Sequence, residues 1–300
     1  VSVDIDEREL VLADGRRLAW REWGTREAPA LLYLHGTPGS RLGLQPDDPL
    51  VARLDLRVLV VDRPGYGRSD PAPQRTLSSW ARDIEALADA AGLARFAVAG
   101  VSGGGPHALA CACVLPERVA LALLLACPAP LELLPSLDEL AFGNRLGVWL
   151  DRRAPRLLAK LIELNASSFR RDGEGYMRSL AQHMPAPDRA LLERPSFRAA
   201  ILAELAEAYR QGPGGQLADA RLALTTRTWD IALADVRVHV RLWHGELDRL
   251  STPSMAAALA RELPDARLTL VPGAGHLIGE HPHCIAEFQA ALAEYASAQS

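Results

Sequence analysis

Apolar residues along this chain gather into short continuous runs separated by stretches with helical spacing. Residues 9–13 and 18–23 read as two strands joined by Asp14-Gly15, a hairpin-turn pair, so an antiparallel start is expected. Residues 30–34 and 58–61 are the next buried strands. Residues 80–91 place Trp80, Ile84, Leu87 and Ala88 on one helical face, with Gly92 as the stop. A strand at 96–99, a helix from 105 to about 115 and a strand at 119–126 follow. The pattern then changes. Residues 130–226 hold no strand-like run and read as helices broken at Pro135, Pro155, Gly173, Pro185, Pro187, Pro195 and residues 212–215. Beyond them a strand at 236–243, a helix at 254–263, a strand at 267–271 and a closing helix at 283–296 resume the alternation.

Strand–helix alternation on both sides of a helical block predicts an α/β fold: a mostly parallel twisted sheet with helices on both faces. The expected division is a core segment at 1–129, a helical cap inserted at 130–226 and a second core segment at 227–300. Ligands bind at the carboxyl edge of such sheets, and an insertion there would roof the site.

The strand at 96–99 runs into Gly100-Val101-Ser102-Gly103-Gly104, and a helix opens on Gly105-Pro106. Strand, Gly-x-Ser-x-Gly, helix is the spelling of a nucleophile elbow. A serine thrust forward on so tight a turn has a strained backbone, and side chains at 100 and 104 would collide. A glycine-rich turn between packed elements would share the spelling, so the partners decide. A serine hydroxyl needs a base to take its proton and an acid to hold that base, which elbow proteins carry in the order Ser, Asp or Glu, His. The strand at 236–243 leads into His244-Gly245-Glu246-Leu247-Asp248, and that at 267–271 leads into Pro272-Gly273-Ala274-Gly275-His276. Loop position favours His276 as base. His35 and His244 read as loop braces, His107 as a packed residue, and His281 and His283 as the start of the last helix. Asp230 and Asp235 precede a strand and fall at the wrong edge, which leaves Glu246 and Asp248 as acids. Asp62 and Asp70 are expected to hold the Arg63–Arg68 loop locally. Gly103 and Thr37 supply backbone N–H groups where a developing oxyanion would lie.

Composition adds exclusions. Of 300 residues, 49% are apolar and 23% charged, an ordinary globular balance. A net charge of −4 argues against nucleic acid or a membrane surface as partner. No run has membrane-spanning length, and Val1 to Asp6 show no secretory pattern, so a cytoplasmic protein is expected. Cys111, Cys113, Cys127 and Cys284 lack zinc-ligand spacing and read as reduced and buried. No metal or organic cofactor is implied, and a monomer or homodimer is expected.

His35-Gly36-Thr37-Pro38-Gly39-Ser40, the Asp62-to-Ser69 loop, the elbow, Trp243 to Asp248 and Gly273-Ala274-Gly275-His276 together resemble the α/β-hydrolase fold superfamily. The likeness is to its capped branch of esterases, perhydrolases, epoxide hydrolases and proline iminopeptidase-like enzymes, and it covers both core segments. It implies Ser102 as nucleophile, Asp248 as acid, His276 as base, and Thr37 and Gly103 as oxyanion donors. Serine at 102 departs from the epoxide hydrolases and haloalkane dehalogenases, which carry aspartate there. The expected substrate is a moderately apolar carboxylic ester. Lactone hydrolysis, perhydrolysis, carbon–carbon bond hydrolysis and N-terminal peptide hydrolysis would use the same parts, the last with cap acids such as Glu132, Asp138 or Glu139 for the amine. A non-catalytic ligand receptor on the same fold is the other class.

Overall fold

A computed structural model describes residues 4–134, 136–226 and 228–299. Pro135, an expected helix break, Arg227, the expected start of the second core segment, and Val1–Val3 lie outside the described residues. Eight strands form one sheet in the order β1-β2-β4-β3-β5-β6-β7-β8. β1 (Asp6–Val11) and β2 (Arg17–Trp23) form the expected hairpin, and β2 lies antiparallel to β4 (Arg57–Val61). β3 (Ala30–Leu34), β5 (Phe96–Val101), β6 (Val119–Leu125), β7 (Val240–Gly245) and β8 (Ala266–Val271) complete a parallel run with β4. β3 and β4 are buried at every residue, as strands covered on both faces must be.

The helices α1 (Leu77–Ala90), α2 (Gly105–Val114), α9 (Pro253–Glu262) and α10 (Pro282–Ser297) cover the sheet. One face is packed by Trp80, Ile84, Leu109 and Leu259, the other by Trp243, Phe288 and Leu292. Between β6 and β7 the described residues contain helices and no strand: α3 (Phe142–Arg153), α4 (Pro155–Arg171), α5 (Gly173–His183), α6 (Ala186–Glu193), α7 (Pro195–Ala208) and α8 (Gly214–Asp219), the last running into a π-helical turn. The insertion has an apolar cluster of its own, built on Phe169, Met177, Met184 and Tyr209.

Three elements start three residues or more from expectation, and the first is β1, which spans Asp6–Val11 where 9–13 was expected. β7 begins at Val240, not at 236. Val236 and Val238 are buried, but the ladder with β6 starts only at Ala122–Val240, so apolar residues upstream pack without a strand partner. α1 begins at Leu77, three residues early. Thr76 and Ser79 form a reciprocal capping box there, and Asp230 accepts the N–H groups of Leu77 and Ser78.

Candidate active site

β5 ends at Val101 and α2 opens at Gly105, leaving one short turn to carry Ser102. That residue has φ 49°, a left-handed value uncommon for a residue with a side chain. Glycine at 100 and 104 is a steric requirement. A Cβ on Gly100 would lie 2.5 Å from the Gly104 carbonyl oxygen, and one on Gly104 would lie 2.2 Å from that of Leu34.

The loops after β5, β7 and β8 bring three side chains into a hydrogen-bonded series. His276 Nε2 lies 3.0 Å from Ser102 Oγ, and His276 Nδ1 lies 2.7 Å from Asp248 Oδ2. A carboxylate only accepts, so Nδ1 carries the proton and Nε2 is left to accept from the serine hydroxyl. Asp248 is buried, while Ser102 and His276 keep partial access to solvent.

Asp248 is held as an anion from every side. Oδ1 accepts the N–H groups of Leu250 (2.8 Å) and Ser251 (3.2 Å). Oδ2 is 3.2 Å from His244 Nε2, which also faces the Ser251 carbonyl at 2.7 Å; with oxygen acceptors on both sides, that nitrogen carries its proton. Burial works to raise the carboxyl's pKa, but the two imidazoles outweigh it, and the group stays well below the usual range. For His276, burial works to lower the pKa; the charge and hydrogen bond of Asp248, helped by Asp188, leave it raised above 6.5. Glu246 takes no part in this series.

Thr37 follows β3, and Gly103 follows the serine. A Cβ on Gly103 would fall 3.4 Å from the Thr37 backbone nitrogen, so the two backbones pass within contact distance beside Ser102. Gly103 is also the second residue of a 3-10 turn opening on Ser102, where N–H groups lack partners within the turn. Arg63, fully buried, donates to the carbonyls of His35 and Gly36 and, at 2.9 Å, to Thr37 Oγ1. His35 braces as expected: its Nε2 accepts the Arg63 N–H at 3.2 Å and its Nδ1 lies 2.8 Å from the Gly36 carbonyl. Asp62 holds its loop by accepting the Arg68 N–H, whereas Asp70 reaches back to Arg17 on β2.

Two buried carboxylates of the insertion went unread in the sequence. Asp188, in α6, accepts the N–H groups of His276 (2.8 Å) and Leu277 (3.1 Å). Asp219, closing α8, accepts from Thr37 Oγ1 (2.8 Å), Arg63 (2.6 Å), Tyr66 (2.9 Å) and Arg75. Each ties a helix of the insertion to a loop of the site. Neither has a local motif; a glycine at 275, where a Cβ would fall 2.3 Å from Asp188 Oδ2, was the one indirect sign. A cleft of about 530 Å³ runs between residues 182–189 and 246–249, on the Asp248 side of the series. Among the described residues no cluster of His, Cys, Asp and Glu could hold a metal ion, and no helix is long and apolar enough to cross a membrane.

Several known proteins are similar to this chain in sequence or fold. A non-heme chloroperoxidase of Streptomyces lividans is 32% identical over 123 residues, 40% of this chain and 45% of its own length. A proline iminopeptidase of Neisseria gonorrhoeae is 32% identical over 114 residues, 37% of this chain and 36% of its own. The chain thus spans less than half the length of either. A bifunctional esterase/perhydrolase of Acinetobacter calcoaceticus is 26% identical over 269 residues, 88% of this chain and 90% of its own. A hydrolase structure from Pseudomonas aeruginosa superposes with a TM-score of 0.68 at 25% identity, over 96% of this chain and 97% of that one. The family model for the alpha/beta hydrolase fold matches residues 29–280, and the chain belongs to that family.

Proposed function

We propose that this protein is a serine hydrolase that cleaves a small to medium, moderately apolar carboxylic ester through an acyl-enzyme on Ser102. The observation that carries the reading is the series Ser102 Oγ, His276 Nε2, His276 Nδ1, Asp248 Oδ2, linked at 3.0 and 2.7 Å. His276 takes the hydroxyl proton as Ser102 Oγ bonds to the ester carbonyl carbon. The N–H groups of Thr37 and Gly103 hold the resulting oxyanion. Collapse of the adduct breaks the bond to the alkoxy oxygen, which leaves as the alcohol with the proton from His276. Water then gives a proton to His276 as it attacks the acyl carbon; collapse of this second adduct breaks the bond to Ser102 Oγ, which takes that proton back from His276, and releases the carboxylic acid. Asp248 stays ionised and stabilises the imidazolium.

The helical insertion acts as a cap, with Asp188 and Asp219 seating it on the two loops that flank Ser102. Release of an N-terminal residue would need free acids for the amine. Of the three cap acids, Asp138 is paired with Arg145 and Glu139 accepts from Ser254, which leaves Glu132 alone without a side-chain partner among the described residues and favours the ester.

A fluorophosphonate probe tests the reading. Rapid labelling of Ser102, with turnover in a panel of ester chain lengths, lactones and aminoacyl arylamides that is highest for the esters, is the expected result. A folded protein that is neither labelled nor active would leave a ligand-binding role on the same fold.

A further inference from the structure

Eleven large hydrophobic residues are exposed among the described residues, and six lie on α3 and α4: Phe142, Leu146, Trp149, Leu157, Leu161 and Leu164. Within each trio the spacing is i, i+4, i+7, which sets the three side chains along one helix face. The faces turned inward carry Val148 and Leu150 on α3, and Leu158, Ala166 and Phe169 on α4. Both helices therefore bury one apolar face and show a second to solvent. A patch of this kind on a folded protein marks a surface that meets something else.

Its surroundings are basic. Residues 142–171 hold seven basic side chains and two acidic ones, a net of +5 within a chain of net −4. Arg152, Arg153, Arg156, Lys160 and Arg171 are exposed and form no ion pair with any described residue. By helical geometry Arg152 lies beside the stripe of α3 and Arg153 at its C-terminal end, and Lys160 and Arg171 lie beside that of α4. The chain-wide charge, which argued against an anionic partner, averages this segment away.

We propose that the α3–α4 face docks on an anionic lipid surface, its apolar stripes in the headgroup–acyl boundary and its arginines among the headgroups. Leu, Phe and Trp along one face with Arg and Lys beside them is the composition of a helix that lies in a lipid interface. A second copy of this chain is the rival occupant, but two such faces would meet with like charge. The face is also joined to the site. Asn144 of α3 donates to the Leu250 carbonyl at 2.8 Å, and the exposed Leu247 and Leu250 flank Asp248 in the loop after β7. Docking would hold that loop at the interface and draw the substrate from amphiphilic esters already partitioned there. This substrate class rests on the hydrolase reading; the docking does not.

The test is sedimentation of the whole protein with phosphatidylcholine vesicles, with and without phosphatidylglycerol. Trp149 is a built-in reporter, 57% exposed while the other five tryptophans are at most 8% exposed. Binding to the anionic vesicles with a blue shift of its emission is expected. Raising ionic strength from about 0.1 M to about 1 M, which shortens the screening length from about 10 Å to about 3 Å, should lower partitioning about tenfold. Trp149→Glu with Leu161→Glu should abolish binding while circular dichroism is unchanged. Arg152→Glu with Arg153→Glu, which keeps the stripes, should weaken it. Equal binding to neutral vesicles, no binding to either, or a dimer that Trp149→Glu dissociates would overturn the proposal. Labelling of Ser102 is indifferent to all of these outcomes, so failure of docking and failure of the hydrolase reading are separable.

Discussion

At Ser102 the backbone is held at φ 49°, a conformation that costs roughly 1–3 kcal/mol and persists only where its surroundings impose it. Alanine keeps the Cβ and therefore the strain. Ser102→Ala should shift Tm by no more than about 2 °C, while ester hydrolysis falls about ten-thousand-fold. Wild-type rates in the purified variant would remove Ser102 from the chemistry. The base gives a second prediction. Asp248 from the β7–α9 loop and Asp188 from α6 both face His276, and its raised pKa sets the acid limb of kcat/KM above 6.5. Activity should fall as pH drops through that limb, because the protonated ring cannot accept the serine proton. Asp188→Asn removes a charge and one acceptor, so the limb should move to lower pH and the plateau fall about ten- to a hundredfold. A limb that stays in place would reduce Asp188 to a structural contact. That Ser102, Asp248 and His276 would meet was legible because each lies in a loop just past a strand at one edge of the sheet. Asp188 was not, since its partners are backbone N–H groups 88 and 89 positions away.

The insertion is written in its breaks more than in its helices. Pro155 and Pro195 are first residues of α4 and α7, where the missing N–H costs nothing. Gly173 opens α5 behind Asp172, whose carboxylate accepts the Gly175 N–H at 2.8 Å. How those helices sit on the core could not be read, because docking depends on distant ion pairs. Asp219 shows the scale of the effect. Burial works to raise its pKa, yet Arg63 and Arg75 hold it well below the carboxylate range. Asp219→Ala would strand two buried guanidiniums and should cost about 3–5 kcal/mol, measurable as a lower urea midpoint. It also frees Thr37, so kcat should fall by a larger factor than KM rises. An unchanged midpoint would mean that water replaces the carboxylate and that α8 does not fasten the Thr37 loop.

Across the whole molecule, buried ionisable groups pull stability in opposite directions with pH. His35 and His107 are buried and their pKa values lowered, His107 to about 3, so in acid the unfolded chain binds protons that the folded chain refuses. Their contribution to stability grows as pH rises towards 6.5. Glu204 of α7 acts the other way. Its Oε1 is pressed against the Gly39–Gly43 loop, where a Cβ on either glycine would fall within 2.7 Å of it, and accepts the Ser40 N–H at 3.3 Å. Burial pushes this carboxyl up from 4.5 to about 7. The folded chain therefore binds this proton more tightly, and the stabilisation is lost as pH rises through about 7. The wild-type curve sums both trends and isolates neither. Glu204→Gln isolates one, because glutamine keeps an acceptor for Ser40 and cannot ionise. At pH 8 the variant should melt above wild type by about 2 °C or more, and the offset should shrink to nothing as pH falls below 4.5. An offset that does not change with pH would show that Glu204 ionises normally beside that loop.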